Sequence, residues 1–169
     1  GGAKACFLAA GLDVTPVPVD ADGLDPALGE KSAPAPRLIY TTPSHQYPTG
    51  VTMPVTRRLA LLDVAERCGG WIIEDDYDSE FRYDTPPLPS LQGLTEQAPV
   101  IYVGTFSKVL YPGLRLGYLV APPELAPDVC RAQARLHREG HYPLQSALTA
   151  FMASGHFTRH ITRMRTAYR

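Results

Sequence analysis

A chain of 169 residues, 44% of them hydrophobic, can bury one real core and falls in the size range of a single domain. Its 16 Lys and Arg against 17 Asp and Glu leave a formal charge of -1, which excludes a global field drawing the chain to nucleic acid or an anionic membrane. No apolar run approaches the roughly 20 residues of a membrane-spanning helix, and the first residues lack a basic-then-apolar export pattern, so a soluble cytoplasmic protein is expected. Cys6, Cys68 and Cys130 are odd in number and widely spaced, which predicts reduced structural thiols rather than a zinc site.

Both ends read as cut, because Gly1-Gly2 opens inside a helical stretch and Arg169 closes inside another. The sequence is therefore read as a fragment. Ala3 to Ala10 is helix-compatible, with Gly11 as its stop. The alternating run Val14 to Val19 predicts a strand, and Pro16 and Pro18 make it an edge strand. Asp20 to Pro36 reads as a surface connection with a short helical turn, away from any function. Leu38 to Thr42 is a short apolar strand, followed by a turn-rich stretch, Pro43 to Gly50. A helix opens near Pro54, with Leu59, Leu62 and Ala65 on its buried face and Gly69-Gly70 at its end. Trp71-Ile72-Ile73 then forms an apolar strand running into Glu74-Asp75-Asp76.

Val100 to Val103 predicts a second buried strand leading to Gly104-Thr105-Phe106-Ser107-Lys108, and Leu116 to Ala121 a third. Helices occupy most of Pro123 to Arg169, with breaks near Gly140 and Gly155. Strands without polar alternation are expected to be buried on both faces, so helices must cover a largely parallel sheet from both sides. The expected fold is an α/β class, a three-layer α/β/α sandwich with a mostly parallel sheet. Ligands of such sheets gather beyond the carboxyl ends of the strands, where the polar clusters of this sequence fall.

Three clusters carry chemistry. In Thr105-Phe106-Ser107-Lys108 with Pro112-Gly113-Leu114-Arg115, partial burial of Lys108 would favour the neutral amine that attacks an aldehyde. Thr105 and Ser107 offer hydroxyls to a phosphate, and Arg115 offers a planar fork. The plainer reading is a surface lysine after a strand, with Arg115 paired to a carboxylate. In Glu74-Asp75-Asp76-Tyr77-Asp78-Ser79-Glu80-Phe81, crowded carboxylates at a strand end call for a cation. A protonated pyridine ring is one, with Asp75 on its nitrogen and Tyr77 on its phenolic oxygen. A metal and a solvated acidic turn are the alternatives, but Tyr77 and Phe81 suit a calcium loop poorly, so no metal is expected. The third cluster, Thr42-Pro43-Ser44-His45-Gln46-Tyr47-Pro48-Thr49-Gly50, is a rigid loop presenting polar groups, and by itself only a strand-to-helix connection.

In order and spacing the three clusters resemble fold type I enzymes dependent on pyridoxal 5'-phosphate (PLP), of the class I/II aminotransferase family. The wording Ser44 to Gly50 and Glu74 to Tyr83 is most similar to the aminotransferase-like domain of MocR/GabR-type regulators of the GntR family. The resemblance implies that PLP is the cofactor, that Lys108 is the catalytic residue forming the Schiff base, and that Asp75, Tyr77, Thr105, Ser107, Arg115 and Tyr47 bind the cofactor. Tyr47 stands where ordinary aminotransferases have asparagine, which shifts the phenolic-oxygen hydrogen bond onto Tyr77.

The resemblance further implies that residues 1–155 are a large domain truncated at its N-terminus, and that 156–169 begin a helix leading to a missing C-terminal small domain. The implied function is sensing of an amine or amino acid that takes the cofactor from Lys108, within a homodimer. DNA would be bound only through a winged-helix domain absent from this chain. The alternative is a competent aminotransferase acting on an amino acid, in which Lys108 also moves a proton between substrate and cofactor. His137, His141, His156 and His160, with Arg159, Arg163, Arg165 and Arg169, form a basic stretch. Phe157, Ile161, Met164 and Tyr168 interleave it, which predicts an amphipathic helix with a solvated face rather than a nucleic-acid surface.

Overall fold

The computed structural model describes residues 2–33, 35–81, 88–138 and 140–168. Arg82 and Tyr83, the last two residues of the second motif, lie outside them. The chain divides into two compact units, Gly1–Asp75 with Leu88–Tyr102, and Asp76–Pro87 with Val103–Arg169.

The first unit opens with helix α1 (Gly2–Ala9), a two-residue hairpin of β1 (Val19–Asp20) and β2 (Gly23–Leu24), and helix α2 (Pro26–Ser32). Asp25 caps α2 by accepting the Ala27 N–H at 2.9 Å, and Pro26 occupies the first turn where no N–H is needed. Strand β3 (Leu38–Thr41), helix α3 (Val55–Cys68) and strand β4 (Trp71–Asp76) form the strand-helix-strand unit read from the sequence. The two strands pair in parallel, from Leu38 opposite Trp71 to Thr41 opposite Glu74. Gly69 ends α3 in the left-handed region at φ 60°, where a Cβ would be strained, and its N–H closes onto Ala65 and Glu66.

Leu61, Leu62 and Ala65 of α3 pack with Met53, Ile72, Leu91, Ala98 and Val100 into the core. Each large apolar side chain buried there contributes roughly 1.5–3 kcal/mol. Leu59 departs from the expected buried face: it is exposed, while the neighbouring Arg58 is completely buried. Apolar periodicity could not find that exchange, because it assigns every arginine to the solvent side.

The edge strand expected over Val14 to Val19 is also absent except at Val19. Pro16 and Pro18 remove the N–H groups a ladder would use. Instead the run borders an apolar cavity of about 500 Å³, with Phe7, Leu24, Tyr40 and Leu61 among its other walls.

Strand β5 (Val100–Thr105) begins in the first unit and ends in the second. There its neighbour is β6 (Gly117–Val120), followed by helices α4 (Ala126–His137), α5 (Tyr142–Ala153) and α6 (His156–Tyr168). Gly104 lies against Tyr118, and the Phe106 N–H donates to the Leu116 carbonyl at 3.0 Å. The two partners advance in opposite directions, which makes this pairing antiparallel. All four residues of β6 are exposed, and β4 buries only every second residue. An apolar strand thus states a capacity for burial on both faces, not the presence of a covering layer.

Candidate functional site

Strand alternation divides the acidic run. Glu74 and Asp76 are buried, whereas Asp75 points to the other face of β4 and is half-buried. The Tyr40 hydroxyl, from the adjacent strand β3, donates to Asp75 Oδ2. Glu74 is a core group: its carboxylate accepts the N–H groups of Leu91 at 3.0 Å and Gln92 at 3.3 Å, and lies 3.7 Å from the Arg58 guanidinium. Crowded carboxylates call for a cation, and one lies inside the protein. Arg58 is that cation for Glu74.

Arg58 also shapes the polar loop between β3 and α3. Its Nε donates to the Met53 carbonyl at 3.0 Å, one Nη to Pro43 at 2.9 Å and the other to Pro89 at 3.0 Å. The Met53 N–H closes the loop onto the Pro43 carbonyl at 2.9 Å. Within it, the Tyr47 N–H donates to Thr42 Oγ1 at 3.1 Å, the Tyr47–Pro48 peptide is cis, and Gly50 sits at φ 78° with His45 beneath it. Tyr47 stands at the tip with 71% of its surface exposed.

The second unit carries the remaining candidates. Tyr77 follows β4 and is half-buried. A 3-10 turn over Ser79–Phe81 comes next, braced by the Ser79 N–H donating to Asp76 Oδ1 at 3.2 Å. Burial pushes the Glu80 carboxyl up against a backbone hydrogen bond that lowers it, and the charges of Asp76 and Asp78 add to the rise.

After β5, the chain turns over Phe106 to Leu110, with the Leu110 N–H donating to the Phe106 carbonyl at 2.9 Å. Thr105 Oγ1 accepts the Ser107 N–H at 3.2 Å and donates weakly to the Leu116 carbonyl at 3.4 Å. Val109 is buried and Lys108 exposed. The partial burial expected for Lys108 is therefore not found; a turn that packs Val109 inward aims the preceding side chain outward. Arg115, also exposed, ends the 3-10 turn Pro112–Leu114 in the left-handed region at φ 52°, a conformation that costs a non-glycine residue about 1–3 kcal/mol.

The structure thus brings Thr105, Ser107 and Lys108 onto one turn, with Arg115 at the end of the same connection, and joins Asp75 to Tyr40. Residue-type reasoning missed Tyr40, Arg58 and His160. His160 on α6 donates from Nε2 to the Val109 carbonyl at 2.8 Å. A periodic signal for it existed: Phe157, His160, Ile161 and Met164 share one helical face and are the half-buried residues there.

The family model for aminotransferase class I and II matches residues 2–169. The chain belongs to the aminotransferase class I and II family. PLP is the cofactor of this family, and its α/β fold is fold type I, a sandwich of three layers with a mostly parallel sheet, as the sequence predicts. Among curated relatives, this aminotransferase-family chain is 46% identical over 170 residues to the probable rhizopine catabolism regulatory protein MocR of Rhizobium meliloti, covering 99% of this chain and 34% of the relative. It is 47% identical over 163 residues to the uncharacterized HTH-type transcriptional regulator YhdI of Bacillus subtilis, covering 96% of this chain and 34% of that protein. The chain spans about a third of the length of both. Among solved structures, LysN, the alpha-aminoadipate aminotransferase of Thermus thermophilus complexed with N-(5'-phosphopyridoxyl)-L-leucine, superposes with a TM-score of 0.85 at 34% identity, over 99% of this chain and 44% of that one. No helix among the described residues is long and apolar enough to cross a membrane.

Proposed function

We propose that this chain is the PLP-binding, effector-sensing part of a MocR/GabR-type transcriptional regulator. The observation that carries the reading is the exposed Lys108 amine on a turn braced by Thr105 and packed through Val109, with Ser107 beside it and Arg115 closing the same connection. The regulator names of the similar proteins support the sensing role.

The residues fit the cofactor in their chemistry. An anionic acceptor, Asp75, already accepts one hydrogen bond and has a second oxygen for a protonated ring nitrogen. Lys108 supplies the amine for the aldehyde carbon, Ser107 and Arg115 supply phosphate donors, and Tyr77 donates to the phenolic oxygen. The weak bond from Thr105 to the Leu116 carbonyl is one that a phosphate oxygen can displace. Tyr47, exposed at its loop tip, offers a further hydroxyl. When bound, PLP supplies an electron sink for the carbon next to an amino group. An amine effector then competes with Lys108 for the cofactor, and the released lysine can hold a proton near that carbon.

Within this reading, residues 1–155 form part of the large domain, and the helix from His156 leads toward a smaller one. The whole protein is a cytoplasmic homodimer whose DNA contacts come from a separate winged-helix domain, and its effector is an amine or amino acid. The likeness to LysN favours a second reading, a competent aminotransferase. Tyr47 in the asparagine position weighs against that reading, because the hydrogen bond to the phenolic oxygen then rests more heavily on Tyr77.

The test uses the full-length protein with PLP, followed by borohydride reduction and mass analysis. A visible absorbance band and a phosphopyridoxyl group on Lys108, both lost in Lys108→Ala, are expected. Neither band nor adduct in the wild type would end the cofactor reading. Amine-dependent change in DNA binding without turnover of the amine separates the sensor from the enzyme.

A further inference from the structure

Within the second unit, one face of helix α6 meets the turn after β5 and the 3-10 turn after β4. At its start, Phe157 meets Phe106 edge-on, with ring centroids 6.0 Å apart and planes at 77°. One turn on, His160 Nε2 reaches the Val109 carbonyl at 2.8 Å. At its far end, Tyr168 meets Phe81 edge-on at 5.4 Å and 75°. Residues 157, 160 and 168 lie on one side of a helix of 3.6 residues per turn. The first two contacts hold the residues on either side of Ser107-Lys108, and the third holds the turn that follows Tyr77.

We infer that His160 is a positioning residue for Lys108, and that α6 couples the Lys108 turn to the Tyr77 turn. The partner atom is a carbonyl, so Nε2 must be the donor, which settles the tautomer when the ring is neutral. The Val109 carbonyl belongs to the peptide that leaves Val109, one residue beyond the Lys108 main chain. Fixing it, while the Leu110 N–H closes onto the Phe106 carbonyl at 2.9 Å, pins the turn from inside and from outside. Lys108 has a long flexible stem, so the direction of its amine depends on how firmly its Cα is held. A group captured by Lys108 and contacted by Tyr77 meets α6 through both turns, and α6 therefore registers whether Lys108 is occupied. The last clause rests on the PLP reading above; the positioning of the turn does not.

The test compares full-length wild type, His160→Ala and His160→Gln. Gln places an N–H donor near the position of Nε2 and so retains the bond without the ring. Without PLP, amide hydrogen exchange over Ser107 to Leu110 should be faster in His160→Ala by about tenfold, the worth of one net hydrogen bond, and return toward wild type in His160→Gln. With PLP, exchange in α6 should slow in wild type and His160→Gln, with a smaller response in His160→Ala. The fraction of Lys108 trapped by borohydride at subsaturating PLP should fall in His160→Ala by a similar factor and recover in His160→Gln. Unchanged exchange of the turn in His160→Ala, or failure of His160→Gln to restore it, overturns the inference. Loosening of the turn with no adduct in any form retains the positioning role and rejects the PLP reading.

Discussion

The guanidinium of Arg58 and the carboxylate of Glu74 lie 3.7 Å apart with both side chains completely buried. Three hydrogen bonds from Arg58 and two to Glu74 go to main chain, so the pair ties α3, β4, the Pro43 to Met53 loop and the segment Pro89 to Gln92 together. Removing one partner leaves the other charge buried. Arg58→Ala and Glu74→Ala should each destabilise the protein by about 3–5 kcal/mol, measured by denaturant unfolding. A double substitution by two well-packed apolar residues should lose less than the sum, because neither charge is then stranded.

Gly70 and Gly69 differ although they are adjacent. A Cβ at Gly70 would stand 2.3 Å from the Pro36 carbonyl oxygen, a main-chain atom, whereas Gly69 has open space but a left-handed backbone. Gly70→Ala should cost about 1–3 kcal/mol or more through displacement of the chain before β3. Gly69→Ala should cost about 1 kcal/mol. Thermal melts of the two variants check the order, and an equal loss would refute the steric argument.

Tyr40 donates to the carboxylate proposed to hold the pyridine nitrogen. A hydrogen bond to a charged acceptor exceeds a neutral one in strength, so Tyr40→Phe should weaken PLP binding by about tenfold. Asp75→Ala should weaken it further. Titration with PLP followed by absorbance measures both. Tyr40→Phe with wild-type affinity would show that the bond does not serve the site.

Glu80 carries a pH dependence of definite sign. Its carboxyl is raised in the folded protein, mainly by burial, so the folded state binds the proton more tightly than the unfolded chain. The stability it contributes is present below the unfolded carboxyl value and is lost as pH rises through the folded one. Glu80→Gln should therefore stabilise the protein near neutral pH, and the gain should shrink as pH falls through the raised folded value and be gone below the ordinary carboxylate value. Melting temperatures of the two forms across acid and neutral pH measure it.

The strand-helix-strand unit from Leu38 to Asp76 was legible because its elements follow periodicity and glycine stops, and the family because the residue types of its motifs are unusual together. Three features were not legible. Arg58 could not be placed inside the protein, since its burial depends on carbonyls from Pro43 and Pro89, far away in sequence. Tyr40 could not be matched to Asp75, because that contact needs the parallel register of β3 and β4. His160 was set among solvated basic residues, since nothing local distinguishes a histidine that finds a carbonyl 51 positions away. The misassigned edge strand had a local reason that could have been heeded, two prolines in six residues.

Arg58 grips the loop around Tyr47 by carbonyl oxygens, at Pro43 on one side and Met53 on the other. Every amino acid offers a carbonyl, so this anchoring of the loop's two ends does not depend on which side chain stands at its tip. Exposed tip positions such as Tyr47 are thereby open to replacement at little cost in stability. The scaffold can hold both ends of the loop in place while the group presented at its tip is exchanged.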